Sequence, residues 1–112
     1  MDKDYSFERL QQKSEENWSR VDPHKRLVLA RHLRLVILAE DQVALKEMFE
    51  KGDFDGWFHF EGGMAVRNTL REVMKDDELP GVKYDGDREF KNWDDFYMAA
   101  LRQAVAPKEG EA

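Results

Sequence analysis

Asp22–Ala39 reads DPHKRLVLARHLRLVILA, and no other long run of the chain is as dense in large aliphatic side chains. With about 100° of rotation per residue these side chains fall on one broad arc, while Arg31 and Arg34 lie near the opposite pole, which predicts a helix with a wide buried face. Asp22 is suited to cap this helix, and Pro23 to occupy its first position, where no backbone N–H is lost. We therefore expect a buried central helix that other helices cover on more than one side. The arc consists of Val28, Leu29, His32, Leu33, Val36, Ile37 and Ala39.

The rest of the chain carries apolar side chains at three- and four-residue spacing, which is typical of amphipathic helices. The segment after Ala39 is either a third helix, which Asp41 could cap, or a kinked continuation of the central helix. Gly52 is expected to end it in the left-handed conformation, and Asn92 to cap the last helix. These patterns predict an all-α fold, a compact bundle of four to five helices with a glycine-rich aromatic loop. The predicted surrounding helices cover residues 4–20, 41–51, 64–77 and 92–106.

Length and composition indicate one soluble domain. The chain has 112 residues, which suits a single hydrophobic core; we place the domain at residues 1–106 and a disordered tail at residues 107–112. Cysteine is absent, which excludes a disulfide framework and thiolate metal sites. No apolar run approaches the roughly 18–20 residues that cross a bilayer, and the N-terminal sequence is too polar for a signal peptide. A protein of the cytoplasm without membrane association is expected.

The net charge of −6 arises entirely in the second half of the chain. Residues 1–51 hold ten acidic and ten basic side chains, whereas residues 52–112 hold fourteen acidic and eight basic ones. The acidic total argues against nucleic acid as a partner, because phosphate binding requires a dominant basic surface. It favours a partner protein with a basic surface, and opposed charge blocks could also meet across a homodimer. A nucleic-acid mimic is an alternative that requires the carboxylates from Asp76 to Asp95 to be exposed in a row.

Residues 53–63, DFDGWFHFEGG, form the densest aromatic segment of the chain. The rings could fold back as a lid on the core, because large aromatic side chains dominate core burial. Alternatively the segment binds a partner with Trp57 as an anchor, because tryptophan is enriched among interface hot spots. The DGD turn that follows lacks the ligand spacing of a calcium loop, so no metal site is predicted. The predicted partner-binding residues are Phe54, Trp57, Phe58, Asp85 and Asp87.

Two polar motifs of the second half are expected to meet. Arg67 and Arg71 lie four residues apart on one side of a predicted helix, with Asn68 beside them. A buried guanidinium requires a carboxylate, and Asp94 and Asp95 at the start of the last helix are the expected partners. The two motifs would form a structural clamp that joins two helices.

The motifs His59-Phe60 and Gly63-Met64-x-x-Arg67-Asn68, with the amphipathic helix that they open, resemble small bacterial and phage proteins of unknown function. These proteins share an H-F…G-M-x-x-R-N signature. The resemblance covers residues 57–105. It implies a shared helical unit and no particular activity.

The function predicted from these features is non-catalytic. We expect a small protein-binding module, such as an inhibitor, an immunity protein or a phage-encoded regulator, that uses an acidic and aromatic surface of the second half. No nucleophile motif, paired-histidine metal motif or phosphate loop is present, and no cofactor is predicted. The alternative is a small hydrolase or lyase in which His59 acts as general base with Asp94 or Asp95 as its acidic partner. His32, on the apolar arc, is expected to be a hydrogen-bonded core side chain.

Overall fold

Five α-helices and one short β-hairpin make up the structure, a computed structural model that describes residues 7–52, 62–84, 86 and 88–111. The predicted all-α fold class is confirmed. The two strands pair antiparallel, with Val82 opposite Phe90. Two 3₁₀ turns, Asp76–Glu78 and Trp93–Asp95, lie before and after the hairpin. The helices are α1 (Phe7–Trp18), α2 (Pro23–Val36), α3 (Ala39–Lys51), α4 (Gly62–Arg71) and α5 (Tyr97–Val105), and the strands are β1 (Val82–Lys83) and β2 (Glu89–Phe90).

Local signals mark the start of α2 and the end of α3. The side chain of Asp22 accepts hydrogen bonds from two backbone N–H groups at the start of α2, and Pro23 is the first residue of that helix, as predicted. Gly52 ends α3 with a φ of +70°, a conformation that favours glycine. The prediction that Asp41 caps α3 is wrong, because the helix begins at Ala39 and Asp41 lies inside its first turn. No described helix is both long enough and apolar enough to cross a membrane.

Helix α5, and not α2, occupies the centre of the fold. Every residue from Met98 to Val105 is buried, and the helix packs against α1, α2, α3 and α4. Three alanines on α5 let the neighbouring helices approach closely, because interhelical distance depends on the side chains at the contact. These alanines are Ala99, Ala100 and Ala104. The largest fully buried side chains of the core are Trp18, Leu29, Leu33, Leu70, Leu79, Trp93, Phe96 and Leu101.

Helix α2 is buried on one side only, in contrast to the central helix predicted at residues 22–39. Near its C-terminal end Leu35 is 85% exposed and Val36 is 51% exposed. His32 is not a core residue: its imidazole is partly exposed, and its Nε2 lies 3.0 Å from Oε1 of Glu72. Helix α2 therefore carries more aliphatic side chains than the fold buries, and the excess faces outward. The buried residues of α2 are Leu29, Ala30 and Leu33.

The chain after α5 returns to that helix. The sequence predicts a disordered tail at residues 107–112, but the structure holds Glu111 against Arg102, with Nη2 3.0 Å from Oε2. Arg102 is almost fully buried and its Nε also lies 2.7 Å from Oε2 of Glu15. Burial opposes the charge of Arg102, yet hydrogen bonds to Glu15 and Glu111 outweigh it, so the pKa of the guanidinium is raised. Because a buried guanidinium requires carboxylates, Glu111 draws the end of the chain back onto the core.

Candidate functional site

A cleft of about 420 Å³ separates α1 from the hairpin and from the 3₁₀ turn Trp93–Asp95. Its size falls within the range of roughly 300–1,000 Å³ that is usual for ligand sites. Apolar side chains line part of it, and acidic and basic side chains lie around them in equal number. The lining residues are Leu10, Lys13, Ser14, Glu16, Asn17, Arg20, Val82, Lys83, Tyr84, Asp94, Asp95 and Met98.

Polar side chains of α1 and of the turn that follows it hold the two walls of the cleft in place. Asn17 Nδ2 donates to the main-chain oxygen of Asp95 at 3.1 Å, which ties the 3₁₀ turn to α1. Arg20 Nη2 donates to the main-chain oxygen of Gly81 at 2.8 Å, just before strand β1. The hydroxyl of Ser14 is buried and accepts a hydrogen bond from the backbone N–H of Ala99 at 3.0 Å. The cleft is therefore a preformed feature of the packed chain.

The hairpin places two aromatic rings at the rim. Tyr84 follows strand β1 and Phe90 ends strand β2, and their ring centroids lie 5.4 Å apart in an edge-to-face arrangement. Both rings are exposed. The guanidinium carbon of Arg88 lies 5.5 Å from the centroid of the Phe90 ring. Aromatic surface and charge thus occur together at the mouth of the cleft.

Asp95 is the half-buried carboxylate of the cleft, and Oδ1 accepts a hydrogen bond from the hydroxyl of Tyr84. Burial raises the pKa of the Asp95 carboxyl; the Tyr84 hydrogen bond opposes this change, and the charge of Asp94 adds to it. Burial of the hydroxyl, together with its hydrogen bond to Asp95, also raises the pKa of Tyr84 to about 12. No described cation lies within ion-pair distance of Asp95, although Lys13 and Lys83 line the same cleft.

Arg67 meets one of its two expected partners. Its Nε lies 3.0 Å from Oδ1 of Asp94, and its guanidinium carbon lies 5.1 Å from the centroid of the Tyr97 ring. Tyr97 is the first residue of α5, so the contact joins α4 to α5. The buried Gly63 lets the Tyr97 hydroxyl approach the start of α4, where a Cβ would lie only 3.1 Å from that oxygen.

Arg71 has a partner that the clamp prediction did not include. Its Nε donates to Oδ1 of Asp76 at 2.7 Å and its Nη2 to Oδ2 at 3.2 Å. Its Nη1 also donates to the side-chain oxygen of Asn68 at 3.0 Å. Oδ2 of Asp76 accepts the backbone N–H of Trp93 at 3.0 Å. The chain therefore leaves the helix after Arg71, and the predicted continuation to residue 77 is wrong, because Asp76 turns back to join α4 to the second 3₁₀ turn.

Replacing Asp76 by Ala should lower the free energy of unfolding by about 2–3 kcal/mol, because it removes a charged acceptor shared by Arg71 and Trp93. The Arg71 hydrogen bond holds the pKa of Asp76 below its ordinary value. The stabilisation is therefore present above that ordinary value and is lost as the pH falls through the lower pKa of the folded protein. Urea unfolding at neutral and at acid pH measures both effects.

Asp77, the exposed neighbour in the same 3₁₀ turn, is the matched control for this change. Asp77→Ala should alter the free energy of unfolding by less than about 0.5 kcal/mol. Equal losses in the two variants would show that the contact with Arg71 and Trp93 contributes nothing specific.

The predicted partner-binding residues all lie outside the described part of the chain, as does His59 of the enzymatic alternative. The residues outside it are Phe54, Trp57, Phe58, His59, Asp85 and Asp87. Two of the carboxylates that a nucleic-acid mimic would present, Asp76 and Asp94, are paired with arginines. Among the described residues, no group of three or more histidine and acidic side chains is placed to hold a metal ion.

Sequence reasoning missed the residues that shape the cleft. Tyr84 lies next to the DGD turn and six residues before Phe90, a spacing that could have indicated two rings side by side on a hairpin. Asn17 carries no such signal, because its contact with Asp95 joins residues that are 78 positions apart.

Comparisons of the chain with protein-family models, with curated proteins and with solved structures find no match. The resemblance of residues 57–105 to small bacterial and phage proteins therefore stays a prediction.

Proposed function

We propose that this chain is a non-catalytic, cytoplasmic protein-binding module whose cleft receives a short segment of a partner protein. In this proposal a basic side chain of the partner lies against the ring of Tyr84 and pairs with Asp95. An inhibitor, an immunity protein or a phage-encoded regulator would use such a site.

The proposal is supported most directly by the burial, the pairing and the raised pKa of the Asp95 carboxyl. A half-buried carboxylate is costly to a folded protein when no cation pairs with it, and none of the described residues pairs with Asp95. Its pKa is raised, so the folded chain favours the neutral form of Asp95 more than the unfolded chain does. A lysine or arginine of a partner would supply the missing cation and would also contact an aromatic ring. Asp95 is therefore better suited to pair with a cation of a partner than to stabilise the folded chain.

The remaining walls of the cleft favour a peptide over a nucleic acid. Leu10, Val82 and Met98 offer apolar contacts to side chains of a partner. Three acidic residues around the rim repel any phosphate backbone. A peptide that carries charges of both signs can instead pair with both the acidic and the basic side chains there. The acidic lining residues are Glu16, Asp94 and Asp95, and the basic ones are Lys13, Arg20 and Lys83.

Replacing Asp95 by Asn should weaken partner binding at least roughly tenfold while leaving the fold intact. Asn keeps an acceptor for Tyr84 but removes the charge. Because the folded pKa is raised, the stability contributed by Asp95 is full below its ordinary pKa and is lost as the pH rises through the folded value. The variant should thus equal or exceed the wild type in thermal midpoint at neutral pH, and wild-type binding should weaken as the pH falls.

The experiment captures partners with immobilised wild type from an extract of the source cells and then titrates the identified partner by calorimetry. Asp77→Asn, an exposed carboxylate away from the cleft, is the control for charge. Trp57→Ala tests the predicted aromatic anchor in the same assay. Unchanged affinity of the Asp95 variant, with an unchanged fold, would exclude the cleft as the binding site.

An acid–base enzyme is the second candidate, because a carboxyl with a raised pKa in a cleft is also a feature of catalytic sites. Asp95, hydrogen-bonded to Tyr84, would then be the acid. The two proposals differ in the fate of the ligand: a partner segment is recovered intact from the protein, whereas a substrate is converted. Mass spectrometry of the eluted ligand decides between them.

A further inference from the structure

Strand β1 borders the cleft with its edge. Val82, Lys83 and Tyr84 are consecutive residues, and all three line the cleft. Side chains alternate between the two faces of a strand, so three residues in a row border one cavity where the edge of the strand, and not one of its faces, is turned to it. The main-chain groups of β1 are therefore part of the wall of the cleft.

The register of the hairpin determines where the main-chain groups of Lys83 point. The backbone N–H of Tyr84 donates to the main-chain oxygen of Arg88 at 3.2 Å, and Lys83 lies opposite Glu89. In an antiparallel ladder, hydrogen-bonded pairs alternate with pairs that make no hydrogen bond to one another. Lys83 and Glu89 form a pair of the second kind. The N–H and the C=O of Lys83 therefore point away from β2.

This outward side of β1 faces the cleft. Residues two apart in a strand are oriented alike, so the carbonyl of Gly81 points the same way as that of Lys83. The Gly81 carbonyl accepts a hydrogen bond from Arg20, whose side chain lines the cleft. No described residue hydrogen-bonds to the N–H or the C=O of Lys83. A donor and an acceptor of the main chain are thus open to a ligand in the cleft.

An extended segment matches this edge better than a helical one. Backbone groups inside a helix are hydrogen-bonded to one another, so a helix could offer only side chains to Lys83. An extended segment offers a free N–H and a free C=O at every second residue on one side, which is how a peptide adds a strand to the edge of a sheet. One residue of such a segment can bond both main-chain groups of Lys83.

On the basis of the function proposed above, we propose that the partner segment binds as a third strand beside β1, hydrogen-bonded to the main chain of Lys83. The new strand fills the cleft between β1 and α1. In strand addition the main-chain hydrogen bonds supply affinity and the alternating side chains supply specificity.

The alternation of side chains assigns a charge pattern to the segment. Val82 and Tyr84 share one face of the hairpin, where the Tyr84 hydroxyl donates to Asp95. Lys83 and Glu89 lie opposite each other and share the other face. The partner residue that pairs with Lys83 lies on the Lys83 face, and its neighbours lie on the Asp95 face. An acidic residue paired with Lys83 and a basic residue next to it would place opposite charges together on both faces.

The first test uses heptapeptides that are selected on the wild-type protein from a random phage-displayed library. The selected peptide should carry an acidic residue next to a basic one, and Asp95→Asn should weaken its binding, as the proposed function requires. Lys83→Pro should raise the dissociation constant roughly tenfold or more, because proline has no N–H to donate. The hairpin should tolerate this proline, since β2 does not use the N–H of Lys83.

Two variants are controls for Lys83→Pro. Glu89→Pro removes an N–H that points to the far edge of the hairpin, away from β1, and it should bind the peptide as the wild type does. Lys83→Ala keeps the N–H and removes the charge, so it should lose less affinity than Lys83→Pro. Circular dichroism confirms the helical fold of each variant.

Amide hydrogen exchange followed by NMR measures the proposed bond in the wild-type chain. In the free protein the N–H of Lys83 should exchange faster than that of Tyr84, which is bonded to Arg88. Binding of the selected peptide should slow exchange at Lys83 by roughly tenfold or more and should leave exchange at Glu89 unchanged.

Slowed exchange at Lys83, with a loss of affinity in Lys83→Pro and none in Glu89→Pro, supports the third strand. Binding that depends on Asp95 but leaves exchange at Lys83 and the affinity of Lys83→Pro unchanged would exclude strand addition and retain the proposed function. Binding that depends on Lys83→Pro but not on Asp95→Asn would support the third strand and remove the basic side chain from the proposed function. A library without binders, or binders insensitive to both variants, would exclude the cleft and both proposals.

Discussion

Replacing Arg102 by Ala lowers the free energy of unfolding by about 3–5 kcal/mol, because it leaves two carboxylates without their shared cation beside the core. The guanidinium is 6% exposed and joins Glu15 of α1 to Glu111 at the end of the chain. Arg102 lies on α5, the helix around which the others pack. A loss of this size is a large share of the roughly 5–15 kcal/mol that is typical of a domain.

Urea unfolding followed by circular dichroism measures this effect. Arg88→Ala, which truncates an exposed arginine, is the matched control and should change the stability by less than about 1 kcal/mol. Glu111→Gln should lose less than Arg102→Ala, because Glu15 still neutralises the guanidinium. A loss below about 1 kcal/mol for Arg102→Ala would mean that water enters the site and screens the pair.

The same contact predicts a dependence on pH. The hydrogen bond from Arg102 holds the pKa of Glu111 below its ordinary value. The stability that this pair contributes is therefore complete above the ordinary pKa of a glutamate and is lost as the pH falls through the lower value of the folded chain. In Arg102→Ala this part of the acid sensitivity should disappear.

Replacing Trp93 by Ala should lower the free energy of unfolding by about 3–5 kcal/mol through the loss of buried contacts and the cavity that remains. The side chain is fully buried, and its ring centroid lies 6.1 Å from that of Trp18 and 6.2 Å from that of Phe96. Its Nε1 also donates to the main-chain oxygen of Met74 at 2.9 Å, which connects the second 3₁₀ turn to the chain after α4.

Thermal and urea unfolding of Trp93→Ala and Trp93→Phe separate two contributions to the free energy of unfolding, that of the side-chain volume and that of the hydrogen bond to Met74. Phe fills most of the space but cannot donate to Met74, so its loss should be about 1–3 kcal/mol. Phe90→Ala, a change at an exposed ring, is the control and should cost less than about 1 kcal/mol. Similar losses in Trp93→Ala and Phe90→Ala would contradict the central packing position of the indole.

Local sequence signals predicted the helices because their causes are local. The carboxylate of Asp22 and the ring of Pro23 act within one turn, and Gly52 ends α3 through its own backbone freedom. The same reasoning did not predict the length of α4. Its end depends on Asp76, which is held jointly by Arg71 and by Trp93, and only the folded chain brings these residues together.

The cleft could be predicted only in part. Asp94 and Asp95 were expected to act together, but their environments differ. Asp94 pairs with Arg67, whereas Asp95 accepts a hydrogen bond from Tyr84 and pairs with no cation of the part of the chain that the structure describes. The side chains of adjacent residues point in different directions. Which of the two carboxylates pairs with an arginine therefore depends on how α4 packs against the second 3₁₀ turn. No spacing rule in a single sequence contains that information.

By itself the sequence determined the helical class of this protein, the start of α2, the end of α3 and the acidic balance of its second half, because propensity, capping and charge belong to residues or single turns. The tertiary structure alone decided that α5 is central, that Glu111 folds back onto Arg102, and that the aliphatic end of α2 remains exposed. Those outcomes depend on which surfaces compete for burial. Helix α5, with its alanines, admits neighbours on every side, so α2 is left at the outside with exposed aliphatic side chains.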